Sequence, residues 1–115
     1  MKISFDGIGV QTVTFKTASG VTAGIPVKIS ANGTVAACTA GDAFVGVAGS
    51  VEDDGFAAVT LRGFVKLPYT GDTAPSLGWC WLAGNGSGGV FADDDGMPYL
   101  VVHLDTTNKT VGFFI

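Results

Sequence analysis

Residues 77–96, LGWCWLAGNGSGGVFADDDG, bring together most of the side chains in this sequence that could bind a ligand. Trp79 and Trp81 are spaced to lie on one face of a strand, where two indole rings could stack against a sugar. The glycine-rich segment after them could surround a phosphate, and the aspartates at 93–95 could hold a metal ion. The alternative is a β-hairpin whose glycines and aspartates only form turns.

The two candidate ion sites lack features that their chemistry needs. Phosphate-binding glycine loops lead into a helix and usually carry a lysine, whereas GNGSGG precedes a strand pattern and has no lysine nearby. The acidic runs at 52–54 and 93–95 lack the alternating ligands and closing glutamate of an EF-hand loop. We therefore predict turns at both runs, no cofactor and no metal, with calcium at 93–95 as the open alternative.

Catalytic side chains are also scarce. His103 is the single histidine, and Asp105 would share its strand face, so a serine or threonine could in principle complete a triad. No nucleophile-elbow motif accompanies them, so we predict that the chain is not an enzyme. Cys38 and Cys80 both lie in apolar strand patterns, either as small buried hydrophobic residues or as the two ends of a disulfide bridge.

The tryptophan strand is apolar on both faces, because Cys80 and Leu82 alternate with the indoles. Such a strand is either buried on both sides or covered by another chain, whereas a sugar platform needs one exposed face. The last residues, VGFFI, are bulky and apolar, so we expect a paired strand or a contact with a neighbouring subunit there. The candidates for subunit contacts are Trp79, Trp81, Phe113, Phe114 and Ile115.

The composition excludes several classes of partner. The 115 residues are 47% hydrophobic and 14% charged, with a formal net charge of −4. The six lysines and arginines are spread singly along the chain, whereas a nucleic-acid surface needs them clustered. No apolar run approaches the length of a membrane span, and the first residues have no signal-peptide core. We expect a single soluble domain, made in a cytoplasm, that binds neither nucleic acid nor membrane.

Hydrophobic periodicity predicts an all-β chain, because apolar residues alternate with polar ones throughout and never recur at helical spacing. The predicted strands cover 10–16, 25–30, 34–38, 44–51, 56–67, 77–83, 89–92, 99–104 and 110–115. Asn32-Gly33 and Asp54-Gly55 are typical of type I′ hairpin turns, in which both central residues have positive φ. Pro68 and Pro75 indicate a connecting loop at 68–76.

Two stretches of the sequence resemble each other at an offset of about 54 residues, a length that suits an internal repeat. In residues 21–51 and 75–105, Gly24 aligns with Gly78, Val35 with Val90, and Phe44 with Tyr99. Pro26-Val27 aligns with Cys80-Trp81. A further strand follows each stretch. The pattern predicts two pseudo-repeated halves, separated by the loop at 68–76, that together close one small β-barrel.

Four motifs carry a resemblance to a known family. VTAGIPVKI, GDAFVGVAGSV, AAVTLRGFVKLPYTG and PSLGWCWLA resemble the small capsid decoration, or head cement, proteins of tailed bacteriophages and prophages. The sequence departs from the family pattern at residues 79–81, where two tryptophans and a cysteine replace small residues and valine. The resemblance implies a β-barrel or β-clip-like fold, no catalysis, and a homotrimer on the major capsid protein of the virion.

These observations lead to one main functional hypothesis and one alternative. The main hypothesis is a non-enzymatic phage structural protein that decorates the capsid surface and stabilises it. Its N-terminal arm, residues 1–9, would become ordered by strand addition on the capsid. The capsid-contact candidates are Ile3, Phe5, Ile8 and Val10. The alternative is a carbohydrate- or ligand-binding β module that uses Trp79 and Trp81.

Overall fold

The computed structural model describes residues 3–5 and 9–115, and these contain ten β-strands and no helix. None of the described residues belongs to a helix long and apolar enough to cross a membrane. The strands form two five-stranded units in chain order. The first unit contains β1 (Gln11–Thr17), β2 (Pro26–Ala31), β3 (Thr34–Ala37), β4 (Gly46–Val51) and β5 (Phe56–Arg62). The second contains β6 (Phe64–Pro68), β7 (Gly78–Gly84), β8 (Val90–Ala92), β9 (Met97–Asp105) and β10 (Thr110–Phe114).

The first unit is a closed barrel with the strand order β1-β3-β2-β4-β5, in which β5 pairs with β1 again. The alternation that the period-two pattern predicts is clearest in β5, where Ala57 and Val59 are buried and the residues between and beside them are not. Val27, Val35 and Val59 are fully buried in the barrel, and Ala48 and Ala57 fill the narrower space beside them. The prediction of a small all-β barrel is confirmed.

The second unit repeats this topology. Its strand order is β6-β10-β9-β7-β8. If β6 to β10 correspond to β1 to β5, this order becomes β1-β5-β4-β2-β3, which is the order of the first barrel followed in the opposite direction. A parallel bridge between Tyr69 and Val90 joins its two edges, where Thr17 pairs with Val35 in the first unit. The halves are therefore pseudo-repeats, but each forms its own unit. They do not share a single barrel.

Backbone hydrogen bonds match between the units, which supports the repeat residue by residue. The Thr17 N–H donates to the Gly55 carbonyl at 2.8 Å, and the Tyr69 N–H donates to the Lys109 carbonyl at 3.0 Å. Lys109 thus occupies the position of Gly55, and it is the one non-glycine residue with positive φ (54°) in the described chain. A lysine is strained there, because its Cβ crowds the left-handed backbone.

The junction between the units lies at Gly63. We predicted a single strand over 56–67, but the chain turns at Gly63, where φ is +126°, and passes into the other sheet. A Cβ at this position would lie 3.0 Å from the Val10 side chain, and the Gly63 carbonyl accepts the Ile115 N–H at 3.0 Å. The loop at 68–76 therefore lies inside the second unit, between β6 and β7, and does not separate the repeats.

The two units are held together by aromatic side chains. Phe44 of the first unit stacks on Tyr99 of the second, with ring centroids 4.9 Å apart and planes 10° apart. Phe113 meets Phe44 edge-on at 6.0 Å. The Tyr99 hydroxyl donates to the Phe44 carbonyl at 3.1 Å, and burial raises the pKa of Tyr99 to about 12. Phe44 and Tyr99, which we aligned as equivalent residues of the two halves, are thus in direct contact with each other across the interface.

The hairpin turns form where we predicted them, but with a different backbone geometry. Gly33 and Gly55 have positive φ, at 61° and 88°, whereas Asn32 and Asp54 do not. A type I′ turn needs positive φ at both central residues, so that prediction is wrong. At the second turn the Gly55 N–H donates to the Glu52 carbonyl at 3.2 Å, which closes a four-residue turn with Asp53 and Asp54 at its centre.

Candidate binding surface

The two tryptophans lie on the outer face of β7. Trp79 is 72% exposed and Trp81 49% exposed, whereas Cys80 and Leu82 point into the core of the second unit. The backbone alternation of the strand separates the two sets, as expected. The indoles are therefore not core residues, and the two remaining explanations are a contact with another chain and a ligand platform.

Other apolar side chains extend this surface. Leu77 is 65% exposed and lies two residues before Trp79, directly before the start of β7. On the adjacent strand Pro98 pairs with Trp81 and is also exposed. We call Leu77, Trp79, Trp81 and Pro98 the indole face. Sequence analysis missed Leu77 and Pro98, although the spacing of Leu77 from Trp79 was a usable signal.

Two grooves flank Trp79. The first has a volume of about 610 Å³ and lies on the β9 side, where Trp79, Pro98 and Phe114 line it together with the exposed Arg62. The second has a volume of about 760 Å³ and lies on the β8 side, where both indoles face the aspartates at 93–95. Because β9 and β8 pair with opposite edges of β7, the grooves lie on opposite sides of the tryptophans.

The aspartates at 93–95 form a turn, as predicted. The Asp93 carboxylate accepts the Asp95 N–H at 3.0 Å, and the Asp93 carbonyl accepts the Gly96 N–H at 3.0 Å. Gly96 is required there because a Cβ would overlap the Leu82 carbonyl oxygen. Across residues 3–5 and 9–115, no three metal-ligating side chains gather into a cluster, so calcium at this turn gains no support.

The glycine-rich segment is a second side-chain-supported turn. The side-chain Oδ1 of Asn85 accepts the Ser87 N–H at 2.7 Å and the Gly89 N–H at 3.0 Å, and its side-chain Nδ2 donates to the Thr70 hydroxyl. The segment leads into β8 and not into a helix. It therefore lacks the helix N-terminus that binds phosphate in glycine-rich loops.

The His103 and Asp105 pair does not form a catalytic arrangement. The Asp105 carboxylate accepts the N–H groups of Thr107 and Asn108 and the Asn108 amide, each at 3.0 Å. The Asn108 backbone N–H is the largest cause that lowers the pKa of Asp105. Its hydrogen bonds therefore stabilise the β9–β10 turn, and His103 is an exposed residue of β9.

Both cysteines are free and buried, so of the two alternatives the structure supports small hydrophobic residues and not a bridge. Burial is the main cause that raises the pKa of Cys38 to about 11. A thiol with this pKa is almost entirely protonated at neutral pH and is a poor nucleophile.

The C-terminal candidates have different environments. Phe113 is fully buried in the core of the second unit, so it cannot contact a partner subunit, and that expectation is corrected. It points inward because the strand register places it opposite Val101. Phe114 and Ile115 are half-buried, and both line the first groove beside Trp79.

The N-terminal candidates are only partly described. Ile3 is 85% exposed and Val10 48% exposed, whereas Ile8 lies outside the described residues. Phe5 is not free, because it stacks on Phe64 at 5.2 Å and meets Phe114 edge-on at 5.7 Å. The arm is therefore attached to the second unit at Phe5.

Comparison with models of known protein families and with curated protein sequences finds no match for this chain.

Proposed function

We propose that the chain is a non-enzymatic structural protein that decorates and stabilises the surface of a phage or prophage capsid as a homo-oligomer, with three copies as the expected number. The observation that carries this proposal is the indole face, an exposed apolar surface on a rigid sheet. Exposed apolar surfaces of this kind occur at sites of protein contact and at ligand-binding grooves. The resemblance to capsid decoration proteins implies two partners, a neighbouring copy of this chain and the major capsid protein.

The size of the indole face favours repeated contacts over a single strong one. At their observed exposures, the two indoles present on the order of 300 Å² together. Covering that area contributes about 7 kcal/mol, whereas association costs about 4–15 kcal/mol. One indole face alone therefore binds weakly. Several copies on a shell lattice would bind stably through avidity.

In this proposal different surfaces meet different partners. Trp79 and Trp81 contact a neighbouring copy, together with the half-buried Phe114 and Ile115. The exposed Ile3 and Val10 contact the shell, with Phe5 anchoring the arm to its own subunit. The protein would be made in a bacterial cytoplasm and end on the virion surface.

Co-sedimentation with empty heads tests the proposal. The heads would be assembled from the major capsid protein encoded beside this chain, and bound protein measured on density gradients. We expect saturable binding that raises the temperature at which the heads disrupt. Replacing both Trp79 and Trp81 by serine should abolish it, whereas Ile29→Ser, a control at another exposed apolar residue, should not. Wild-type protein that is monomeric and does not bind heads refutes the proposal.

A second candidate function is carbohydrate binding. The second groove favours it, because the two exposed indoles lie beside hydroxyl and carboxylate groups of Thr73, Ser76 and the aspartates. Sugars bind proteins through this combination of stacking and hydrogen bonding. A glycan array separates the two candidates, because retention of a glycan by a monomer, lost on Trp79→Ser, supports the sugar platform and not the capsid protein.

A further inference from the structure

We propose that two copies of this chain associate with Arg62 of one copy against Asp94 and Asp95 of the next, and with the indole faces between them. This inference rests on the proposed function for its homo-oligomer, and it adds the surface and the orientation of the contact. The occupant of the indole face is thus a second copy of the chain.

The two grooves beside Trp79 carry side chains of opposite charge. The groove on the β9 side has Arg62, the only arginine in the sequence, as its single charged side chain. The groove on the β8 side has three aspartates and no basic residue. The surface is therefore positive on one side of the indoles and negative on the other.

Within residues 3–5 and 9–115, Arg62, Asp94 and Asp95 form no ion pair through their side chains. The single ion pair in those ranges joins Lys28 and Asp42, at 2.7 Å, and so leaves the charges beside Trp79 unpaired. Arg62, Asp94 and Asp95 are all exposed. Their charges are therefore available to a second protein surface.

The opposite charges on the two sides of Trp79 suit association between identical copies. A face with opposite charges on its two sides is complementary to a copy of itself that is rotated about an axis near its centre. In a closed ring the positive side of each copy meets the negative side of the next, and the central Trp79 faces the axis. In a pair both sides of each face take part in one contact, whereas in a trimer the positive and the negative side of each copy contact two different neighbours. Arg62 meets Asp94 and Asp95 of another copy in both cases.

The chemistry of the groups suits this contact. An arginine guanidinium can stack on an indole and donate two parallel hydrogen bonds to a carboxylate. Asp94 and Asp95 lie beside Trp79 and Trp81 in one groove, so an incoming Arg62 finds both partners together. The exposed indoles provide apolar contact area, and the aspartates favour a positively charged group such as Arg62 of the second copy.

Charge reversal followed by charge exchange tests the proposal in the full chain. Arg62→Glu alone, or Asp94→Lys with Asp95→Lys, should raise the dissociation constant of the oligomer at least about a hundredfold, because like charges then meet. Combining all three substitutions in one chain should restore association, since Glu and Lys meet with the polarity exchanged. Light scattering and sedimentation velocity over a wide concentration range measure the result.

The turn at Asp53 and Asp54 provides a matched control. It has the same Asp-Asp-Gly sequence as 94–96, its two aspartates are also exposed, and they belong to the first unit and line neither groove beside Trp79. Asp53→Lys with Asp54→Lys changes the net charge by the same amount and should leave association unchanged. The milder Arg62→Gln, with folding checked by circular dichroism, covers the case in which a reversal disturbs the fold.

Several results overturn the inference. They are a monomeric wild type, an oligomer that survives both single reversals, a combined variant that is folded but does not associate, and a control that dissociates equally. If the variants behave as expected but the wild type does not bind heads, only the capsid function fails. If the wild type binds heads and the reversals have no effect, only this contact fails.

Discussion

Replacing Phe44 by leucine should weaken the contact between the two five-stranded units. Phe44 is 3% exposed and makes two aromatic contacts, a stacked one with Tyr99 and an edge-on one with Phe113. Each such pair contributes about 0.5–1.5 kcal/mol beyond the burial of area. We therefore expect Phe44→Leu to lower the free energy of unfolding by about 1–3 kcal/mol.

A double-mutant cycle isolates the stacked pair. Tyr99→Phe removes only the hydrogen bond to the Phe44 carbonyl, which should cost about 1–3 kcal/mol because that buried acceptor loses its donor. Tyr99→Leu removes the stacking as well. Urea unfolding, followed by tryptophan fluorescence and circular dichroism, gives the free energies. We expect a coupling of about 0.5–1.5 kcal/mol between Phe44→Leu and Tyr99→Leu.

The outcome that refutes this reasoning is additivity. If the two leucine substitutions add to within about 0.3 kcal/mol, the rings do not stabilise each other and the units are joined by other contacts. Phe56→Leu is the control, because Phe56 is 43% exposed on β5 and belongs to the first unit. Its effect should add to that of Tyr99→Leu.

Three further predictions concern turns, and a fourth concerns a thiol. Gly96→Ala should destabilise the chain by about 1–3 kcal/mol in urea unfolding through steric overlap, and an unchanged midpoint contradicts it. Lys109→Gly should stabilise it by about 0.5–1 kcal/mol by relieving the left-handed backbone; a lower midpoint contradicts it. The Lys28 hydrogen bond is the main cause that lowers the pKa of Asp42 to about 2 from 3.8. The ionised Asp42 therefore stabilises the fold fully above pH 3.8, and this stabilisation is lost as the pH falls to about 2. Asp42→Asn should make the free energy of unfolding depend less on pH over this range. The pKa of Cys38 is raised from 9.0 to about 11 in the folded protein. Cys38 should therefore react with a thiol reagent at least about a hundredfold more slowly in the folded protein than in the protein unfolded by urea.

Local alternation located the strands within one or two residues, but it could not show where one sheet ends. In FAAVTLRGFVKL the pattern continues on both sides of Gly63, so the sequence reads as one long strand. The break depends on a backbone conformation (φ +126°) and on the approach of Val10 from another part of the chain. Neither leaves a mark in the hydrophobic pattern.

The alignment of the halves failed at the tryptophans for a related reason. We aligned Val27 with Trp81, but in the structure Val27 pairs with Ala37 as Leu82 pairs with Ala92. A shift of one residue exchanges the two faces of a strand, so Trp81 lies outside where Val27 lies inside. The opposed charges around Trp79 depend on the long-range order of β9, β7 and β8, which spacing alone does not reveal.

The meeting of Val10, Gly63 and Ile115 has a consequence for how the chain could be connected. The start of the first unit, the junction and the last residue of the second unit all lie within contact distance of Gly63. These contacts hold the two units side by side, and they could form whichever unit came first in the chain. A circular permutant that begins at Phe64 and joins Ile115 to Val10 through a short linker should reach the same fold.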